Sequence, residues 1–123
     1  MTDEPQIWPT EIKLRRAERV LEVAFDDGAR VALAAEYLRV ESPSAEVQGH
    51  SAAQKQTIGG KAQVAITAVE PVGNYAVRLV FDDGHDTGIF SWAYLHELAR
   101  ERDTRWAAYL AALEDQGKSR ERG

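Results

Sequence analysis

Apolar and polar residues alternate along several stretches of the chain, and each stretch predicts a half-buried β-strand. The clearest one runs from Lys61 to Val69, and similar patterns occupy residues 21–25 and 75–81. Ile12 and Leu14 indicate one more short strand at an edge of the sheet. The predicted inner faces consist of Leu21, Val23 and Phe25, of Ala62, Val64, Ile66 and Ala68, and of Tyr75, Val77, Leu79 and Phe81.

A weak internal repeat relates residues 23–38 to residues 79–95. Each copy contains Phe-Asp-Asp-Gly between two apolar stretches and leads into the opening of a helical turn. Asp-Gly is a strong hairpin signal because both residues tolerate the positive φ of a type I′ turn. We therefore expect two similar hairpins in one domain, with Gly28 and Gly84 at positive φ.

From Ser91 onward the apolar period becomes helical, and Ser91 itself is suited to cap a helix N-terminus. Asp103-Thr104 suggests a second helix start, so a bent or broken helix pair is expected, with Trp92 largely buried. The two apolar stripes consist of Trp92, Leu95, Leu98 and Ala99, and of Trp106, Tyr109, Leu110 and Leu113. The pattern predicts an α+β fold: a small, mostly antiparallel sheet of short hairpin strands with a C-terminal helical segment packed on one face.

The size and composition of the chain are those of one globular domain. It has 123 residues, of which 44% are hydrophobic and 28% are charged, an ordinary globular mixture. We expect a disordered N-terminus over residues 1–7, a single domain over residues 8–114 and a frayed tail over residues 115–123. Apolar runs are only a few residues long, so no membrane contact is expected. Because a signal peptide pattern is also missing, we expect a cytoplasmic location.

The residue types present exclude several kinds of chemistry. Without cysteine, the chain forms no disulfide, no thiolate zinc site, no iron–sulfur ligation of its own and no cysteine nucleophile. The net charge of −5 disfavours nucleic acid as a partner. A local basic cluster, interpreted as a solvated hairpin turn, consists of Lys13, Arg15, Arg16 and Arg19.

Two polar segments, residues 38–50 and residues 82–88, are the candidate functional loops, because a loop can present polar groups without burying them. The candidate binding residues are Arg39, Ser42, Glu46, Gln48, His50, Asp83 and His85. Neither Ser42 nor Ser44 lies in a nucleophile motif, so a structural role is favoured for both. The structural alternative for Arg39 is a buried ion pair with Glu46 or Asp83.

His50 and His85, together with a carboxylate from Glu46 or Asp83, form a hypothetical open site for iron or zinc. These histidines lie far apart in the sequence, so only the fold could bring them together. The alternative is that the carboxylates cap turns while the imidazoles bond to the backbone. His96 is interpreted as a partly exposed surface histidine.

Four blocks of the sequence carry a resemblance to a known family. Residues 38–50, 60–61, 72–77 and 81–92 occur in an order that resembles the small bacterial DUF971 proteins. That family is similar to the N-terminal domain of γ-butyrobetaine hydroxylase, and a related module accompanies some P-loop iron–sulfur carriers. The resemblance covers about residues 8–100 and implies a free-standing accessory domain without an established reaction.

In the hydroxylase, the corresponding domain holds a structural zinc ion with three cysteines and one histidine. The resemblance places these ligands at Ser42, Ser44, Val47 and His85 of this chain, where only the histidine is kept. Serine is a poor zinc ligand and valine is none, so we expect that the hydroxylase-type zinc site is lost. The catalytic barrel lies outside the resemblance, so hydroxylase activity is not implied.

Three functional hypotheses follow. The first is a non-catalytic module that binds a protein partner, in iron or iron–sulfur metabolism, through residues 39–50 and 83–88. The second is a metal site for iron or zinc at His50 and His85, with catalysis as one use. The third is a homo-oligomer that forms through the C-terminal helical segment, whose aromatic stripe would supply the contact.

Overall fold

Two three-stranded antiparallel sheets, each leading into a helix, form the fold. The computed structural model describes residues 8–49 and 55–121. The first half contains β1 (Pro9–Arg15), β2 (Val20–Phe25), β3 (Arg30–Ala34), α1 (Ala35–Val40) and α2 (Ala45–Gln48). The second half contains β4 (Ile66–Val72), β5 (Ala76–Phe81), β6 (Gly88–Ser91), α3 (Trp92–Arg100) and α4 (Arg102–Asp115). The α+β prediction is confirmed, with the antiparallel strands shared between two sheets.

One hydrophobic core joins both sheets to the first turns of the helices. Its most buried large aliphatic and phenylalanine side chains are Leu21, Val23, Phe25, Leu33, Leu38, Ile66, Leu79, Phe81, Phe90, Leu95 and Leu98. Burying a leucine or phenylalanine of this kind contributes about 1.5–3 kcal/mol. A smaller cluster of Val40, Tyr109 and Leu113 lies under α4. Much of the stripe proposed for self-association is therefore packed inside the chain, while Leu110 stays 40% exposed.

The internal repeat is a βββα unit longer than the sequence indicates. Repeat 1 comprises residues 8–40 and repeat 2 comprises residues 65–100. In each repeat the middle strand pairs with both neighbours. The register between the first two strands shifts near its start, once at Pro9/Glu11 and once at Ile66/Ala68. The shared irregularity shows that the two repeats correspond strand by strand.

The Asp-Gly turns of the two repeats have the same local geometry. Gly28 and Gly84 have φ of +90° and +91°, which confirms the prediction of positive φ. The Oδ1 atom of Asp27 accepts the N–H of Ala29 at 2.9 Å. The Oδ1 atom of Asp83 accepts the N–H of His85 at 3.0 Å. Each aspartate thus closes its own turn.

The first aspartate of each turn also has an equivalent role. Asp26 donates its N–H to the carbonyl of Trp8 at 2.9 Å and accepts the Trp8 N–H at 3.3 Å. Asp82 makes the same pair of bonds with Ala65, at 2.9 and 3.1 Å. These bonds fix the start of the first strand against the turn, and they extend the correspondence to the beginning of both repeats.

A reciprocal pair of tyrosines links the repeats. The hydroxyl of Tyr37 donates to the carbonyl of Leu98 at 2.7 Å, and that of Tyr94 donates to the carbonyl of Glu41 at 2.6 Å. Tyr37 corresponds to Tyr94 and Glu41 corresponds to Leu98, so the two bonds are equivalent. Burial raises the pKa of Tyr94 to about 12, so this hydroxyl keeps its proton at neutral pH and continues to donate.

The helix predictions are confirmed in outline. Ser91 caps α3 by accepting the N–H of Tyr94 at 3.1 Å. Glu101 interrupts the helical segment, so α4 begins at Arg102, slightly before the predicted Asp103-Thr104 start. Within residues 8–49 and 55–121, no helix is long and apolar enough to cross a membrane.

Three local predictions differ from the structure. Residues 61–65 lie outside the sheet, with a turn at residues 62 and 63, and the strand predicted from Lys61 begins only at Ile66. Tyr75 lies in the turn before β5 and is 56% exposed, although its spacing predicted the inner face. Trp92 is half-buried, and its indole N–H donates to the carbonyl of Asn74 at 2.8 Å. An indole that needs a polar partner favours such a border position over full burial.

Residues 118–121, for which fraying was expected, instead contact the domain. The carbonyl of Ser119 accepts the N–H of Gly60 at 2.8 Å. Arg120 binds both carboxylate oxygens of the buried Glu36, at 2.8 and 2.7 Å. The bidentate pair satisfies a carboxylate that would otherwise be costly to bury.

Candidate functional site

The two polar segments of the sequence meet in the structure. The first was expected to be an irregular loop, but it contains the end of α1 and all of α2, joined by residues 41–44. The second connects β5 to β6 as a turn. We call the surface formed by residues 39–49 and 83–88 the junction surface.

Ser42 and His85 form a buried hydrogen bond at the centre of the junction. The Ser42 Oγ and His85 Nε2 atoms lie 2.9 Å apart, and the Ser44 Oγ lies 3.4 Å from the same nitrogen. The three residues are 0%, 5% and 8% exposed. Because burying a polar group without a partner is costly, this bond ties the segment after α1 to the turn after β5.

Gly88 packs directly against the serine. A Cβ atom built on Gly88 would overlap the Ser42 Oγ, which leaves no room for a side chain there. The fully buried hydroxyl also leaves no space for a substrate beside it. The arrangement favours a structural bond over a nucleophile, in agreement with the absence of a nucleophile motif around Ser42.

Asp83 is the electrostatic centre of the junction. Its Oδ2 atom lies 2.8 Å from the Arg39 Nε and 2.6 Å from the Lys61 Nζ. Burial by itself would raise the pKa of Asp83, but hydrogen bonds from Lys61, the His85 N–H and Arg39 outweigh it and lower the pKa to about 2. The predicted Arg39–Asp83 pair is confirmed, whereas Lys61 was not among the candidate binding residues.

Arg39 is incompletely satisfied in this arrangement. Its side chain is 11% exposed, and its buried Nη1 atom has no hydrogen-bond partner among the residues that the structure describes. A buried donor without a partner costs about 1–3 kcal/mol. The alternative pairing with Glu46 concerns a side chain outside the described ones.

Gln48 holds the segment between the two short helices. Its Nε2 atom donates to the Ser42 carbonyl at 2.9 Å and lies 3.4 Å from the Glu41 carbonyl. Val47, which precedes it, is 1% exposed and donates its N–H to the Ser44 carbonyl at 3.1 Å. The predicted binding residue Gln48 thus acts within the segment by fixing its backbone.

Three of the four positions that the resemblance matches to zinc ligands of the hydroxylase come together. Ser42, Ser44 and His85 are in contact, and Val47 is buried on the same short segment. Within the described ranges, no group of three histidine, cysteine, aspartate or glutamate residues could hold a metal ion. His50 lies outside the described residues, so its pairing with His85 stays a prediction.

His96 of repeat 2 occupies the position that Arg39 has in repeat 1. Its Nε2 atom lies 2.9 Å from the Asp27 Oδ2, and its ring meets Phe25 edge-on at 5.0 Å. Its side chain is 17% exposed, more buried than a surface histidine usually is. Arg39 and His96 are each the fifth residue of their helix, so each repeat's helix binds the turn aspartate of the other repeat.

The repeats differ at the buried hydrogen bond. Ala29 accepts the N–H of the turn phenylalanine in repeat 1, as His85 does in repeat 2. Ser42 directly follows Glu41, whose carbonyl accepts the hydroxyl of Tyr94. In the other repeat, Ala99 directly follows Leu98, whose carbonyl accepts the hydroxyl of Tyr37. The fold therefore builds one junction with two alanines and the other with a serine and a histidine.

Comparison with known proteins places the chain among similar domains. A family model described as gamma-butyrobetaine hydroxylase-like, N-terminal, matches residues 12–96. Two NMR solution structures are similar, with 46% and 47% identity and TM-scores of 0.85 and 0.83. The alignments cover 97% and 99% of this chain and 94% and 91% of those chains.

A third similar structure comes from Acidithiobacillus ferrooxidans ATCC 23270, and it is a crystal structure of a DUF971-family protein of unknown function. It is 45% identical, with a TM-score of 0.63, and the alignment covers 74% of this chain and 91% of that chain. No curated protein matches the chain.

Proposed function

The chain belongs to the family of gamma-butyrobetaine hydroxylase-like N-terminal domains, and a similar crystal structure is that of a DUF971-family protein; we propose that it is a non-catalytic module that binds a protein partner. The binding surface is the junction surface, residues 39–49 and 83–88. The proposal rests on the geometry of that surface and on its difference from the equivalent place in repeat 1.

The difference between the repeats is the observation that carries the proposal. The equivalent junction, between the turn of repeat 1 and the end of the repeat 2 helix, has Ala29 and Ala99 where the junction surface has His85 and Ser42. The fold by itself therefore does not require a buried polar pair. The fold can do without the Ser42–His85 pair. Its presence, beside an Arg39 nitrogen for which the described residues supply no hydrogen-bond partner, favours a functional role for this side of the molecule.

The junction is suited to binding because it is held from two sides. The Ser42–His85 bond and the Arg39–Asp83 ion pair both connect the segment after α1 to the turn after β5. Above these buried links, Asp86 and the neighbouring turn positions are exposed. A surface that is already ordered loses less conformational entropy when a partner binds.

The same geometry argues against catalysis at the Ser42–His85 pair. Both side chains are almost fully buried, and Gly88 closes the remaining approach to the hydroxyl. A general base must come within hydrogen-bond reach of a substrate proton, and this pair is used internally.

A finer part of the proposal concerns the partner's chemistry. We propose that the partner handles iron or an iron–sulfur cluster. The support is the family resemblance alone, which links such domains to an iron-dependent hydroxylase and to iron–sulfur carriers. The junction surface does not depend on this part, because its geometry would suit other protein partners as well.

The test is quantitative capture from cells of the native source, with the full chain as bait. Asp86→Lys reverses an exposed charge on the junction surface, and Arg30→Glu reverses one just after the turn of repeat 1. We expect one partner whose recovery falls at least about tenfold with Asp86→Lys and is unchanged with Arg30→Glu. Thermal unfolding of both variants checks that each is folded.

Equal recovery with wild type and Asp86→Lys would contradict the binding surface. Metal analysis of the captured partner then tests the finer part. A partner without iron would refute the iron link and leave the junction surface as a binding site.

A further inference from the structure

Residues 118–121, which we call the strap, lie across the segment that precedes β4. The carbonyl of Ser119 accepts the N–H of Gly60 at 2.8 Å, and the carbonyl of Arg120 accepts the N–H of Ala62 at 3.0 Å. These two amides flank Lys61 in the chain. The strap therefore fixes the backbone on both sides of the lysine that binds Asp83.

The Lys61 side chain carries this attachment to the junction surface. Its Nζ atom lies 2.6 Å from the Asp83 Oδ2, and the side chain is 22% exposed. A lysine side chain loses much rotational freedom when its ammonium group is held in one place. Because the ion pair must offset that loss, it depends on a backbone that is already in position.

The strap comes closest to its segment at Gly59. A Cβ atom built on Gly59 would lie 2.8 Å from the Ser119 carbonyl oxygen, a backbone atom that cannot swing aside as a side chain would. An alanine at this position would therefore displace the strap without removing any of its side chains.

Polar contacts hold the strap. All four of its residues are polar and exposed. Arg120, whose side chain is 44% exposed, binds Glu36 and lies over the ring of Trp106 at 5.4 Å. Lys118 donates to the carbonyl of Thr57 at 2.9 Å. Segments with few apolar contacts and exposed hydrogen bonds open at a much lower free energy than the core does.

Gly117 separates the strap from α4. It has a φ of +66°. The N–H groups of Gly117 and Lys118 bond to the carbonyls of Glu114 and Leu113, at 3.1 and 2.8 Å. This pattern is that of a Schellman helix end, so α4 ends through its own bonds. The strap can therefore open without unwinding the helix.

We propose that the strap regulates the junction surface: when closed it holds Lys61 on Asp83, and when open it releases Lys61 and leaves Arg39 as the cation on Asp83. The coupling between the strap and Lys61 stands by itself, whereas its effect on binding rests on the proposed function. A junction surface without Lys61 is less ordered, so the open state binds the partner more weakly. By linkage, a bound partner favours the closed strap to the same extent.

Hydrogen exchange on the full chain, followed by NMR, tests the coupling. The amides of Gly60 and Ala62 report on the strap. The ammonium protons of Lys61, assigned by their loss in Lys61→Gln, report on the ion pair. We expect Gly59→Ala to accelerate exchange at all three sites at least about tenfold. The control Glu121→Gln changes the charge of the strap but keeps its backbone bonds, and should leave the three rates unchanged.

The double variant Glu36→Gln, Arg120→Gln weakens the strap in a second way. It removes the bidentate ion pair without leaving one charged partner buried alone. We expect exchange at the same three sites to be at least about threefold faster. Thermal unfolding shows whether each variant is folded, and the double variant decides the question if Gly59→Ala does not fold.

Two results would overturn the proposal. Faster exchange at Gly60 and Ala62 with unchanged Lys61 ammonium protons would show that the strap does not hold the lysine. Equal exchange at all three sites in wild type and in the folded strap variants would show that the strap is not closed in solution.

Capture of the partner separates this regulation from the proposed function. We expect recovery to fall at least about threefold with Gly59→Ala and to stay unchanged with Glu121→Gln. A loss with Asp86→Lys but not with Gly59→Ala would support the junction surface and refute its regulation by the strap. Coupled exchange without any partner that depends on Asp86 would support the link between strap and Lys61 and refute the proposed function.

Discussion

The two Asp-Gly turns are nearly identical locally and differ in what surrounds them. In each turn an aspartate accepts the N–H two residues on, and a glycine has φ near +90°. Asp27 lies on an open surface with His96, while Asp83 is enclosed by Arg39 and Lys61. The geometry of each turn thus follows from its own few residues, whereas its chemistry follows from the groups packed against it.

The same lesson holds for the links between the repeats. The fifth helical residue reaches the opposite turn in both cases, but it is a permanently charged arginine in one and a histidine in the other. The side chain of Asp83 is 17% exposed and that of Asp27 is 41% exposed. Solvent screens the second pair more strongly. We therefore expect the ion pair at Asp83 to contribute more to stability than the pair at Asp27.

The largest expected difference between the two junctions is in zinc affinity, once cysteines are introduced beside His85. The variant Ser42→Cys, Ser44→Cys, Val47→Cys places three thiols around the His85 Nε2, near which two of these positions already lie. We expect one tightly bound zinc ion, with a binding free energy of about 10 kcal/mol, as in other structural zinc sites. Competition with a chromophoric chelator measures it.

The matched control for the zinc variant adds His85→Ala to the three cysteines. We expect a large loss of affinity because one of four ligands is missing. If zinc binds the three-cysteine variant no better than wild type, the four positions do not converge as the resemblance implies.

Gly88→Ala should destabilise repeat 2 by about 2–3 kcal/mol, because its Cβ would overlap the Ser42 Oγ and overpack the junction. The corresponding residue of repeat 1 is Val31, according to the strand pairing. Urea unfolding measures the cost. In a Ser42→Ala background the same substitution should cost about 1 kcal/mol less. An equal cost in both backgrounds would show that the serine is not the obstacle.

Asp83→Asn should cost about 1–2 kcal/mol at pH 7, since asparagine keeps the oxygen that closes the turn but loses both ion pairs. Asp27→Asn should leave the thermal midpoint almost unchanged. The pKa of Asp83 is about 2 in the fold against 3.8 for the free group. The stabilisation is therefore complete above about pH 4 and is lost as the pH falls towards 2.

Urea unfolding of wild type and Asp83→Asn between pH 7 and pH 2 checks the sign of this dependence. The difference in their free energies of unfolding should be constant near neutrality and shrink in acid. A difference that grows in acid would contradict the assignment of the charged form to Asp83.

Gly28→Ala and Gly84→Ala provide the smallest expected difference between the repeats. Both glycines have positive φ, and no atom within 4 Å would meet an added Cβ at either one. Each substitution should therefore cost about 1 kcal/mol through backbone strain alone. Thermal or urea unfolding compares them. A clearly larger cost at Gly84 would mean that the turns differ locally as well as in their surroundings.

The sequence by itself determined the local structure. The Asp-Gly turns, the buried alternation of Leu21, Val23 and Phe25, and the Ser91 cap were all predicted because each signal lies within a few residues. The prediction failed where an alternating pattern began before its strand. The pattern from Lys61 starts ahead of β4, and Tyr75 lies in the turn before β5.

Only the tertiary structure decided how the site is assembled. Ser42 and His85 lie 43 residues apart in the chain and bond only because the helix of one repeat packs on the turn of the other. Lys61 had no local signal, since it precedes β4 and its partner Asp83 lies in the turn after β5. Neighbouring residues specify backbone conformation, whereas ionisation and hydrogen bonding depend on whichever groups burial brings together.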